Sequence, residues 1–85
     1  NVIFMITVME HLPDPLNTVK NITSGLKSNG IFVFDYILGD GDGQDTIEAV
    51  EQRDAVLQYI DYHYDILSGA ITKNESMGTT VCRLK

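Results

Sequence analysis

Eighty-five residues, 44% hydrophobic and 21% charged, allow one small domain spanning residues 1–85 and exclude both a second core and the charge-rich composition of disordered chains. Six Lys plus Arg against twelve Asp plus Glu leave a formal charge of -6, a field that repels phosphate backbones, so no nucleic-acid partner is expected. The single cysteine, Cys82, excludes an internal disulfide, and no apolar run approaches the roughly 18–20 residues of a membrane span, so a cytoplasmic protein with no membrane partner is expected.

Val2-Ile3-Phe4-Met5-Ile6 is a continuous apolar run of strand length, which reads as a strand covered on both faces, as in parallel sheets flanked by helices. In Glu10-His11-Leu12-Pro13-Asp14-Pro15 the two prolines fix φ, and Asp14 followed by Pro15 is an N-cap followed by an N1 proline. A helix is predicted from there. Leu16, Val19, Ile22 and Leu26 recur at helical spacing as its buried stripe. Ser28-Asn29-Gly30 supplies residues able to turn left-handed and close the helix. Ile31 to Ile37 is a second apolar strand, which completes a strand-helix-strand crossover with parallel strands.

Gly39-Asp40-Gly41-Asp42-Gly43 reads as a solvated acidic loop. As a calcium loop it fails, because Asp45 stands where that loop needs glycine. A polar helix follows to about Gln58, capped by Asp45 or Thr46 and buried through Ile47, Val50 and Leu57. From Tyr59 to Leu67 apolar and polar residues alternate, which predicts a half-exposed edge strand, with continuation of the helix to Tyr64 as the rival. On that strand Asp61, His63 and Asp65 share one face, read as the wet side of an edge rather than a metal site. Tyr59, Tyr62 and Tyr64 read as packing residues, and Cys82 as an apolar filler in a last strand, Thr79 to Leu84, that returns antiparallel.

The stretch from Asn1 to Ile37 resembles the second half of the class I S-adenosylmethionine-dependent methyltransferases of the small-molecule type. The residues that carry the resemblance are the strand Val2 to Thr7, Glu10-His11-Leu12-Pro13-Asp14-Pro15, then Leu26-Lys27-Ser28-Asn29-Gly30, then the strand Ile31 to Ile37. The family has proline and glycine where this chain has Ser28 and Asn29. The rest of the chain matches in outline, as the family closes its sheet with two further strands.

The resemblance implies an α/β fold: a partial Rossmann-like sheet, mostly parallel with an antiparallel last strand. It implies a carboxyl-terminal half whose parent enzyme transfers a methyl group from S-adenosylmethionine to a small-molecule acceptor. Thr7, Val8 and Glu10 then border the cofactor at the carboxyl edge of the first strand, where ligands of open α/β sheets bind. His11 faces the acceptor as the candidate catalytic base. No metal is carried over, because the metal-binding subfamily uses Glu-x-x-Glu-His and this chain has Thr7 in place of the first carboxylate. The family's glycine-rich loop and ribose-holding acidic residue have no counterpart here, so the isolated chain is expected to be inactive. The alternative is a catalytically inactive remnant serving as a dimeric or regulatory module, since a sheet that ends at an apolar strand is expected to homodimerise.

Overall fold

The computed structural model describes residues 1–38, 45–69 and 77–85. The acidic loop at 39–43 and the turn-rich stretch at 70–76 lie outside the described residues. In chain order the elements are strand β1 (Val2–Met5), a 3-10 turn (Met9–His11), helix α1 (Pro15–Gly25), strand β2 (Ile31–Tyr36), helix α2 (Ile47–His63), strand β3 (Tyr64–Ser68) and strand β4 (Met77–Leu84).

The four strands form one sheet in the order β1-β2-β4-β3. β1 and β2 are parallel, with Val2 opposite Ile31 and Met5 opposite Phe34. β4 runs antiparallel to both β2 and β3, so three strands point one way and only the last is reversed. This is the α/β sheet expected from the sequence. β4 enters between its predecessors rather than at an edge, which leaves β1 and β3 as the two edges.

Both helices lie over one face of the sheet. Phe32, Phe34 and Tyr36 alternate onto that face and meet Val19 and Leu26 from the α1 segment and Ala49, Val56 and Ile60 from α2. The Phe32 and Phe34 rings stack at 5.0 Å between centroids, a pairing worth about 0.5–1.5 kcal/mol beyond its buried area. Tyr64 closes the core and shares a 2.8 Å hydrogen bond with the Thr23 hydroxyl.

The expectation that the first strand is covered on both faces is corrected. Ile3 and Met5 pack toward the helices, but Val2, Phe4 and Ile6 are exposed, Phe4 by 70%. The reason is layer count: α1 and α2 cover the same face, and the even-numbered side chains of an edge strand then have nothing above them among the described residues. A continuous apolar run records the coverage a strand is built for, not which of its faces a given stretch of chain supplies.

α1 begins as read from the sequence. Asp14 accepts the Asn17 N–H on its side chain and Pro15 occupies the first turn. The helix stops at Gly25, and Leu26 turns extended and drops into the core. Lys27 to Gly30 then form a turn closed by the Gly30 N–H to the Lys27 carbonyl at 2.8 Å, with Asn29 at φ 65°.

α2 departs further. It runs unbroken to His63, so the rival reading of Tyr59 to Tyr64 is the correct one, and the strand starts only at Tyr64. Its buried residues are Ala49, Val56 and Ile60, whereas Ile47 and Val50 are exposed. Leu57 packs against that core as expected, whereas for the first turn of the helix the small Ala49, and not Ile47 or Val50, faces the sheet. Asp61 and His63 now lie on the helix and Asp65 on the strand, so the shared strand face proposed for them does not exist.

Candidate functional site

The parallel strands β1 and β2 end side by side, and the chain leaving β1 folds back over their carboxyl ends. Thr7 takes φ 54°, a left-handed conformation rare for a β-branched residue. It is held there from two sides. Its backbone N–H donates to Asp35 Oδ1 at 2.8 Å, and its hydroxyl donates to the Ile6 carbonyl at 2.7 Å. Asp35 is itself buried, so the hydrogen bond joins the exit of β1 to β2 with little competition from water.

The 3-10 turn follows directly. Met9 is fully buried and anchors it in the core, and Glu10 is 1% exposed. Leu12 closes the turn by donating its N–H to the Met9 carbonyl. The start of α2 fastens it from the other side. Thr46 donates its backbone N–H to the Glu10 carbonyl at 3.0 Å and its hydroxyl to the Leu12 carbonyl at 2.6 Å. The same hydroxyl accepts the Ala49 N–H and so caps α2. Sequence reading identified Thr46 as a possible cap; its second role as the clamp on the Glu10-His11 turn depends on contacts 34 and 36 residues apart in the chain.

α1 and α2 are locked together nearby, where Gln52 Oε1 accepts the Leu16 N–H at 3.0 Å, one of the orphan donors of the first helical turn. Beneath the turn, the Tyr36 hydroxyl donates to the Ala49 carbonyl. Burial pushes the Tyr36 hydroxyl up to about 12, with the Arg53 charge opposing the rise and the Glu10 charge adding to it. Glu10, Tyr36 and Arg53 therefore form one electrostatic neighbourhood at the base of the site.

Of the residues singled out from sequence, Thr7, Val8 and His11 are exposed along this edge and Glu10 is buried under it. His11 Nε2 lies 3.5 Å from Glu10 Oε2. Glu10 Oε1 is buried and has no hydrogen-bond partner among the described residues. Asp35, Thr46, Gln52 and Arg53 complete the support. Asp35 was visible in the sequence as a carboxylate at a strand end, but the other three gave no signal beyond their helix positions. Among the described residues no pocket encloses the group, and no helix is long and apolar enough to cross a membrane.

No family model matches the chain, and no solved structure matches it. Over 40 residues, 47% of this chain, the sequence is 42% identical to the tRNA U34 carboxymethyltransferase of Aliarcobacter butzleri (strain RM4018). The matched stretch is 13% of that protein's length. The chain is thus similar in part to a transferase.

That similarity corrects two expectations, a small-molecule acceptor and the exclusion of nucleic acid, because the relative is a tRNA-directed enzyme. The charge argument failed for a physical reason. A formal charge of -6 describes the field of these 85 residues. The surface that meets a large polyanion is set by the whole protein, and the match covers only a small share of the relative.

Proposed function

We propose that this chain is the carboxyl-terminal half of a class I S-adenosylmethionine-dependent transferase domain whose acceptor is a tRNA base. The observation that carries the reading is the 42% identity over 40 residues to a tRNA-directed transferase. The sheet order β1-β2-β4-β3 with its reversed last strand supports it.

The residues present suit one end of such a cofactor. Val8 offers an exposed apolar side chain beside the tight Thr7 turn, at the strand ends where open α/β sheets bind ligands. The family's glycine-rich loop and ribose-holding acidic residue have no counterpart in this sequence. When bound, the sulfonium supplies an electrophilic carbon and a neutral thioether leaving group. Thr7 and Val8 border it, Glu10 supports that border from below, and His11 stands on the acceptor side. Positioning supplies most of the acceleration in an in-line displacement of this kind. Thr7, fixed by Asp35, and the 3-10 turn, fixed by Thr46, provide a rigid edge for it. His11 accepts the proton that a base nitrogen or carbon loses as the new bond forms.

Whether the sulfonium carries a methyl or a carboxymethyl group, the departing thioether is S-adenosylhomocysteine. Calorimetric titration of that thioether into the full-length protein, with and without bulk tRNA, tests the proposal. Saturable micromolar binding, together with retention of tRNA in a gel-shift assay, is the expected result. A folded protein that binds neither would overturn it.

A further inference from the structure

We propose that Glu10 is a positioning residue for His11, its buried carboxylate accepting the proton-bearing Nε2 of the imidazole. This rests on the reading of His11 given above only for its consequence in catalysis; the contact itself is a property of the fold.

A carboxylate 1% exposed is costly unless donors surround it. Glu10 Oε1 has none among the described residues, and Oε2 lies 3.5 Å from His11 Nε2. The backbone around the carboxylate is fixed, since Thr46 holds the Glu10 carbonyl and Met9 is buried beside it. The imidazole is 38% exposed. The arrangement is therefore a rigid, buried acceptor beneath a surface histidine, placed to select the Nε2–H tautomer and to favour the imidazolium.

The elements packed against the turn are β2 and α2. Their titratable and charged groups at this end are Asp35 and Tyr36 on β2 and Glu48, Glu51, Arg53 and Asp54 on α2, with Asp45 just before it. Asp35 is engaged by the Thr7 N–H. The Tyr36 hydroxyl donates its hydrogen bond to the Ala49 carbonyl. Arg53 pairs with Asp54 at 2.8 Å. Glu48 and Glu51 are exposed, and screening by water weakens their reach. Glu10 Oε2 lies within ion-pair range of His11 Nε2.

The test is an NMR titration of the histidine rings in the full-length protein and its Glu10→Gln variant, which keeps the side chain's shape and removes its charge. Opposite charges at this range shift a titration by about 1–3 units when desolvated. Because the imidazole is partly exposed, His11 is expected to titrate about 0.5–1 unit lower in the variant. His63, at the far end of α2, serves as the internal control and should not move.

A second measurement needs no substitution: long-range nitrogen–proton spectra of the wild-type protein near neutral pH should show His11 as the Nε2–H tautomer. An unmoved His11 titration in a folded variant, or an Nδ1–H tautomer in the wild type, would overturn the proposal. If the ring shift appears while the acid limb of group transfer stays where it was, Glu10 positions His11 but the base role assigned to His11 falls.

Discussion

The backbone N–H of Thr7 donates to Asp35 Oδ1 at 2.8 Å across the carboxyl ends of two parallel strands. That bond fixes a residue whose left-handed φ would otherwise be disfavoured. Hydrogen bonds to charged groups contribute about 1.5–3 kcal/mol. Asp35→Ala should therefore lower the unfolding free energy by about 1.5–3 kcal/mol in urea denaturation. Asp35→Asn, whose amide oxygen still accepts, should cost clearly less.

The turn after α1 separates two reasons for needing a small or special residue. Asn29 sits at φ 65°, so Asn29→Ala should cost about 1–2 kcal/mol, and Asn29→Gly should cost little. Gly30 is different. A Cβ there would meet the Lys27 carbonyl at 2.8 Å and a Leu26 methyl at 2.9 Å. Gly30→Ala should cost about 1–3 kcal/mol through crowding alone. Thermal unfolding of the three variants ranks them directly.

Three buried acids make stability fall at high pH. Burial raises the Cys82 thiol from 9.0 to about 12 and the Tyr36 hydroxyl from 10.0 to about 12; Tyr64 moves in the same direction. A raised folded-state value means that the folded protein keeps a proton the unfolded chain has lost. The stabilisation is fully present below pH 9 and is lost as pH rises toward 12. Each group contributes a slope of up to about 1.4 kcal/mol per pH unit in that window. Cys82→Ala should delay the onset of the decline toward the Tyr36 range, as read from urea unfolding at successive pH values. The wild-type thiol should also resist a thiol-reactive dye near neutral pH until denaturant is added, since Cys82 is buried, protonated and donates to the Phe32 carbonyl.

The strand-helix-strand unit was legible because each of its signals is local. Asp14 with Pro15 starts α1, the Leu16 and Val19 spacing sets its buried face, and Ile31 begins a strand right after a turn. The end of α2 was not legible, because Tyr59 to His63 satisfies strand alternation and helix continuation equally. Tertiary packing of Ile60 decided for the helix. In the site, Thr7, Val8 and His11 could be placed at a strand end from the sequence. The burial of Glu10 and the clamp from Thr46 could not, since both depend on α2 folding back over the turn. Overall charge misled about nucleic acid, because a net value of -6 carries no information on where charges lie on a surface.

The proposed function puts the cofactor at the carboxyl ends of β1 and β2. Titration of S-adenosylhomocysteine into the full-length protein, followed at individual backbone amides by NMR, tests it most directly. The account predicts that Thr7, Val8 and His11 shift together and saturate, while Asn29 and Lys85 at the opposite end of the sheet stay fixed. Saturable binding that moves Asn29 and Lys85 and leaves Thr7 and Val8 untouched would contradict it.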